Sequence, residues 1–305
     1  MKFSEPLSAK QIGELIDAEV LGDEEQAFQG MNEIHKVESG DIMFVDVPKY
    51  FKKALSSAAT GIILNEKIDV PDGKVLFVVD HPFEAYEKLG ARYYQFEPLN
   101  TSIHHTARIH PSAQLESGVA IAKDVRIGAN TIIQANCYIG SKTEIGDNVW
   151  IQPNSTIGSE AFYYKREEGQ YRKWTSLGKV VIEDDVVVGA NCTIDKGVSG
   201  ITRIGEGTRM DNLVHIGHGV VVGKNCLISG QAGIGGKTIL EDNVILYGQA
   251  GIKNSLHIGE GAVVMVKTGV MKDLEGGKSY FGIPSDEVRD RMKQIVTLRN
   301  LAKGK

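Results

Sequence analysis

The densest chemistry in the 305 residues lies in one window, Asp211-Asn212-Leu213-Val214-His215-Ile216-Gly217-His218-Gly219. A carboxylate stands seven residues ahead of His218, and a glycine, Gly236, stands eighteen residues behind it. That is a set suited to acyl transfer. An imidazole with its ordinary pKa near ~6.5 takes a proton at neutral pH. A neighbouring carboxylate fixes its tautomer, and a main-chain N–H steadies the oxyanion. His218 therefore reads as the general base, Asp211 as its orienting acid, and Gly236 as the N–H donor that leaves room beside the ring. The chemistry alone leaves His215 open as the alternative base. His104, His105, His110 and His257 also fall between residues 101 and 275, and most exposed histidines do no chemistry.

The interval of eighteen gains its meaning from the element that must position these groups. Aliphatic residues recur every six places from Ile103 through Ile157, resume at Ile182, Val188 and Ile194, slip by four, and continue from Ile204 to Val270. A glycine often follows the aliphatic, and a small or β-branched residue stands four places after it; only Leu256 is oversized there. A period of six is neither the helical 3.6 nor a free alternation of two. It is the hexapeptide repeat of a parallel β-helix. Three hexads make a triangular coil of eighteen residues, so Gly236 stacks one coil beneath His218, and Asp211 falls on the adjoining face. The glycines are expected to supply turn conformations that a Cβ would strain. About eight coils spaced ~4.8 Å apart give a prism on the order of 40 Å tall.

The fold class is thus mostly β: a hexapeptide β-helix over 101–275, preceded by a small α/β domain over 1–100 and followed by a helical extension over 276–305. In the first domain Ser8 and Gln11 form a capping box for a helix with Ile12, Leu15 and Ile16 on one face. Ile42–Val45, Gly61–Leu64 and Val75–Val79 read as strands. Asp46–Ser57 reads as a helix with Pro48 in its first turn, and Pro82 opens a helix running to about Gln95. Pro98–Thr101 is the hinge. The loop 159–179 interrupts the coils and carries Phe162, Tyr163, Tyr164, Tyr171 and Trp174 among basic residues; its aromatic content favours a lip over a site. After Val270, Ser285 reads as the N-cap of a terminal helix. Val288, Met292, Ile295 and Leu298 give that helix an apolar stripe. Arg289, Arg291, Lys293, Arg299, Lys303 and Lys305 give it a basic excess that suits an acidic partner.

A net charge of −5 does not suggest a nucleic-acid partner. No run of about 18 apolar residues spans a membrane, and no apolar leader opens the chain, so a cytoplasmic protein is expected. Three cysteines are too few for a disulfide framework. Cys137, Cys192 and Cys226 all take the small inward position of a hexad, which reads as core rather than nucleophile or metal ligand.

The segments Gly178-Lys179-Val180-Val181-Ile182, Thr193-Ile194-Asp195-Lys196-Gly197 and Asp211-Asn212 through His218, with Phe281-Gly282-Ile283-Pro284, carry a likeness over nearly the whole chain. It resembles the UDP-3-O-(3-hydroxyacyl)glucosamine N-acyltransferase family of lipid A biosynthesis. The resemblance implies a left-handed coil and a homotrimer with the acyl groove between neighbouring prisms. It also implies an acyl carrier protein donor bearing phosphopantetheine, and no cofactor or metal. On that likeness His218 deprotonates the glucosamine 2-amine, Asp211 supports it, and Gly236 serves the oxyanion. Phe44 and Tyr50, around Pro48-Lys49-Tyr50, hold the uracil end of the UDP-sugar. Met271 and Lys272 fall where the family handles the acyl chain and the carrier arm, and Arg289 and Lys293 of the terminal helix are assigned to the carrier protein. Two positions depart from the pattern: Val47 replaces an asparagine, and Ser255 replaces a second histidine, with His257 close by. Phe162 and Tyr164 keep an aromatic spacing of the family's loop.

Rival readings follow from the departures. One is a paralogue with another nucleotide-sugar acceptor, or another hexapeptide acyl- or acetyltransferase. A second is a catalytically silent nucleotide-sugar binding protein. The O-acyltransferase of the preceding step fits less well, since that family has no α/β domain ahead of its β-helix.

Overall fold

In this computed structural model residues 1–93, 97–167 and 169–304 are described. The chain divides into two compact units: residues 1–97 with 163–178 and 198–200, and residues 98–162 with 179–197 and 201–305.

The first unit is an α/β sheet. Its strands are β1 (Lys2–Ser8), β2 (Glu19–Leu21), β3 (Ala27–Met31), β4 (Asp41–Phe44), β5 (Gly61–Leu64) and β6 (Val75–Val78), in the order β1-β3-β4-β5-β6-β2. β3 to β6 run parallel, and β1 and β2 close the two edges antiparallel. Helix α1 (Ala9–Ile16) starts at the expected capping box: Gln11 N–H donates to Ser8 Oγ at 3.2 Å and Ser8 N–H to Gln11 Oε1 at 2.8 Å. Three strands escaped the sequence reading, because β1, β2 and β3 are short or carry polar residues that blur alternation. The expected helix 46–57 is a 3-10 turn, Pro48–Tyr50, followed by α2 (Phe51–Leu55). Helix α3 is Pro82–Ala91, and its expected end near Gln95 lies outside the described residues. The segment 163–178 belongs to this unit as an antiparallel hairpin, Tyr164–Glu167 with Gln170–Lys173. The buried Trp174 beyond it packs on Phe44, Phe83 and Tyr86.

The second unit is the β-helix. Its strands build three parallel sheets, the faces of the coil. Pairings such as Arg126↔Glu144, Ile132↔Trp150 and Tyr138↔Thr156 carry the eighteen-residue step. The slip of four appears as Ile182↔Ile204 and Ile194↔Ile216. The inward aliphatics from Ile121 to Val270 form one continuous buried core, whereas Ile103, at the open end, is 43% exposed. The small inward residues are satisfied in a repeating way. Thr131 Oγ1–H donates to Gly146 O at 2.8 Å and accepts from Val149 N–H at 3.1 Å; Thr208 does the same with Gly223 and Cys226. The three thiols donate to Gln152, Asp211 and Glu241 carbonyls. Burial raises all three above the ordinary thiol range, which suits packing and not nucleophilic attack.

Except at Gly158, which does take a left-handed φ of 86°, the glycine after the aliphatic has a different reason from the expected one. Left-handed turns fall two places later, on residues such as Asn130, Asn148, Asn191 and Asn225. Asparagine tolerates that region through its own local hydrogen bonding. The glycine itself is demanded by the next coil: a Cβ on Gly205 would meet Gly223 backbone at 2.5 Å, and one on Gly189 would meet Asp211 backbone at 2.5 Å.

Past the last coil the chain pairs Ser279–Phe281 with Asp286–Glu287 and enters α4 (Val288–Ala302). The expected N-cap moves: α4 begins after Glu287, and Ser285 is fully buried in the turn before it, its N–H donating to Gly269 O. No described helix is long and apolar enough to cross a membrane.

Candidate active site

Each hexad turns a corner just after its inward aliphatic, and the amide two places on points out of the ladder. At the corner after the first face these amides are capped by side chains: Ala129 by Asp147 at 2.6 Å, Asp147 by Asp184 at 2.8 Å, and Lys224 by Asp242 at 2.8 Å. At the corner after the second face, Asp211 does the capping. Its carboxylate accepts Asn212 N–H at 2.7 Å and Gly230 N–H at 2.9 Å.

The corner after the third face differs. Thr193 pairs with His215, His215 with Gly233, and Gly233 with Gly251. Two or three places on from these pairs stand Lys196, His218, Gly236 and Asn254, with Lys272 one coil further. His218 is buried, and Lys237 N–H donates to its carbonyl at 2.8 Å. Its ring lies directly against Gly236: a Cβ there would sit 2.6 Å from Nε2 and 2.9 Å from Cδ2 and Cε1. The Gly236 N–H has no hydrogen-bond acceptor among the described residues. The stacking of His218 on Gly236 expected from the sequence is therefore present. A proton acceptor and an open N–H donor share one corner, which is the minimum set for base-assisted attack on a carbonyl.

Asp211 is elsewhere. It lies one face away, as expected, but among the described residues it makes no hydrogen bond to His218. Capping its own corner occupies it. His215 stands on the flat face, exposed, so the buried, glycine-backed His218 is the stronger base candidate. Ser255 is in a left-handed turn beside the site, its N–H on Gly236 O at 2.9 Å. His257 has turned onto the first face, with Nε2 2.9 Å from Glu241 Oε1.

Below His215 the outward positions of the third face are Gly233, Gly251 and Gly269. A Cβ would meet nothing within 4 Å at the first two, and Ile283 at 3.2 Å at the third. The face is therefore a bare strip leading away from the corner and ending at Ile283. The sequence reading missed it; glycines at outward strand positions, eighteen apart, were the available signal. Met271, 57% exposed, and Lys272, 3.6 Å from Asp286, lie at the far end of the same corner column. Arg289 is exposed on α4, and Lys293 is 3.4 Å from Asp290. Arg291, counted with the basic excess, is instead tied inward to Asp286 at 3.0 Å and to the Pro284 carbonyl. Lys305 lies outside the described residues.

In the first unit Phe44 ends β4 within an aromatic cluster, 5.1 Å from Tyr86 and 5.2 Å from Trp174. Tyr50 is 47% exposed beneath the Lys49 ammonium, and among the described residues it makes no ring contact with Phe44. A cavity of 190 Å³ opens at the carboxyl ends of β4, β5 and β6, lined by Asp46, Asn65, Asp80, His81, Phe83 and Lys165 among others. That end of a parallel sheet is where open α/β folds take ligands, a rule that would have pointed to Asn65 and Asp80.

Residues 100–141 match the bacterial transferase hexapeptide (six repeats) family, and 179–208 the hexapeptide repeat of succinyl-transferase. A UDP-3-O-acylglucosamine N-acyltransferase of Syntrophotalea carbinolica is 39% identical over 95% of this chain and 92% of its own. One from Nitrobacter winogradskyi is 40% identical over 87% of each. Among solved structures, a UDP-N-acetylglucosamine acyltransferase of Francisella novicida superposes with TM-score 0.51 at 25% identity, covering 63% of this chain and 72% of that one. One of Campylobacter jejuni gives 0.50 at 23%, covering 61% and 73%. The shared architecture is the left-handed parallel β-helix.

Proposed function

Since this chain belongs to the UDP-3-O-acylglucosamine N-acyltransferase family and is an acyltransferase, we propose that it moves a 3-hydroxyacyl group onto the 2-amine of UDP-3-O-acyl-glucosamine, in the cytoplasm, as a step of lipid A assembly. The donor in this reading is an acyl carrier protein whose phosphopantetheine carries the acyl thioester. The observation that carries it is the imidazole of His218 packed against Gly236, whose N–H has no acceptor among the described residues.

His218 removes a proton as the amine nitrogen attacks the thioester carbonyl. The Gly236 N–H holds the oxyanion that forms. Attack makes the C–N bond; collapse of the oxyanion re-forms the carbonyl and breaks the C–S bond, and the proton held by His218 leaves with the pantetheine thiol. Asp211 acts as a positioning residue, by pinning the turn that leads into His215–His218. The glycine strip below His215 gives the acyl chain a floor without side chains, with Ile283 and Met271 at its end. The cavity at the carboxyl ends of β4–β6, with Phe44 and Tyr50 nearby in sequence, takes the nucleotide end of the acceptor. Ser255 and His257 serve the sugar phosphates. Lys272, Arg289 and Lys293 suit the acidic surface of a carrier protein. A homotrimer fits the exposed Met292, Val296, Leu298 and Leu301 of α4.

The test offers 3-hydroxyacyl carrier proteins of several chain lengths with UDP-3-O-acyl-glucosamine and reads products by mass spectrometry. A diacylated product supports the reading. Its absence at every length, with UDP-sugar still bound in calorimetry, would move the acceptor to another nucleotide sugar or mark a silent binder. Phe44→Ala is expected to weaken UDP-sugar binding more than it slows the chemical step; an unchanged Kd would remove Phe44 from the site.

A further inference from the structure

The segment Thr193-Ile194-Asp195-Lys196-Gly197 has no role in the reaction described so far, yet it carries two buried charges. Asp195 and Lys196 are each 4% exposed. Asp195 faces upward, accepting Ser159 Oγ–H at 2.7 Å and a main-chain hydrogen bond from Phe162. Lys196 N–H donates to Ser159 O at 2.9 Å, and its ammonium pairs with Glu160. Together they fasten the root of the excursion, 159–162, to the coil above the active corner. The register Thr193↔His215 and Ile194↔Ile216 stacks Lys196 in the corner column of His218, one strand spacing away, about 4.8 Å.

We infer that Lys196 is a positioning residue for the reaction: its buried charge, carried one coil above His218 in the same corner column, holds the imidazole in the neutral, proton-accepting form. The inference rests on His218 being the base. A cation beside an imidazole disfavours the imidazolium. Two opposing charges lie nearby. Glu160 is a third exposed and so is partly screened by water. Asp195 is turned to Ser159 and Phe162, and burial pushes its carboxyl above the ordinary range, against the pull of Ser159 and His215. The other ionisable groups around the corner are His215 on the same strand, Lys237 on the coil below and Asp211 at the adjoining corner. Lys142, further up the helix, lies within electrostatic range of Lys196. Gly236 lies against the ring from below, and Lys196 stands above it in the same column.

The experiment is an NMR titration of the His218 imidazole in the full-length protein, its resonance identified as the one missing in His218→Gln. Lys196→Met is expected to raise the His218 pKa by about one unit and to move the acid limb of the kcat/KM–pH profile up by the same amount, so that kcat/KM falls about tenfold on that limb and little at neutral pH. Lys196→Arg is expected to restore both. Glu160→Gln, which removes the carboxylate paired with the Lys196 ammonium, is expected to shift the pKa downward, and it carries the test alone if Lys196→Met does not fold. A His218 pKa unmoved in both, or moved the opposite way in either, overturns the inference. Activity retained in His218→Gln overturns the underlying reading instead, whatever the titration gives.

Discussion

At the corner after the first face, the amides of Ala129, Asp147 and Lys224 end on the carboxylates of Asp147, Asp184 and Asp242. At the corner after the third, the equivalent column reads Lys196, His218, Gly236 and Asn254, and the Gly236 amide has no acceptor among the described residues. The two corners share one backbone design. An outward amide left uncapped forgoes a bond worth about 1 kcal/mol. One corner spends its side chains on closing the repeat; the other leaves an amide open and sets an imidazole over it. The difference shows how a solenoid acquires a site without a special loop: capping acids are omitted from one column, and the freed donors become available to a ligand.

Several changes would break or sharpen that contrast. The largest effect short of removing the base is expected from Gly236→Ala. A Cβ there meets the His218 ring, so kcat should fall by roughly 10²-fold with thermal unfolding little changed; steady-state kinetics beside calorimetry checks it. Next is Gly251→Leu, which plants a side chain on the bare strip. Transfer of long 3-hydroxyacyl chains should fall by about tenfold or more while short ones persist, as product masses from a mixed-donor competition will tell. Asp211→Asn loosens the turn ahead of His218 and should cost a smaller factor in kcat, together with about 1–2 kcal/mol of stability. At the bottom is Asp147→Ala at the ordinary corner. It uncaps Ala129 and should cost about 1 kcal/mol in a denaturant midpoint with acyl transfer unchanged.

The repeat was legible because a strict six-residue step leaves no other periodic structure to choose, and its eighteen-residue coil by itself places Gly236 under His218. The partner of Asp211 was not legible. A residue on an adjoining face can turn to the ring or to its own corner, and the choice depends on which amides lack a cap, a property of stacked coils and not of one segment. The glycines misled in a related way: sequence shows that a Cβ is unwelcome but not whether φ or a neighbouring coil excludes it. In the first unit the parallel strands Gly61–Leu64 and Val75–Val78 read clearly from their apolar runs. The edge strands, half exposed, did not. The position of Arg291 was hidden because a basic helix gives no sign of which cation folds back on Asp286.

The central claim is that the third corner, at His218, performs the acyl transfer. It is tested most directly by His218→Ala in the mass-spectrometric transfer assay, with Asp147→Ala as the corner control. The account predicts a loss of at least roughly 10²-fold for His218→Ala, with an unchanged sedimentation profile, and full activity for Asp147→Ala. Wild-type-like turnover in a folded His218→Ala protein would contradict it.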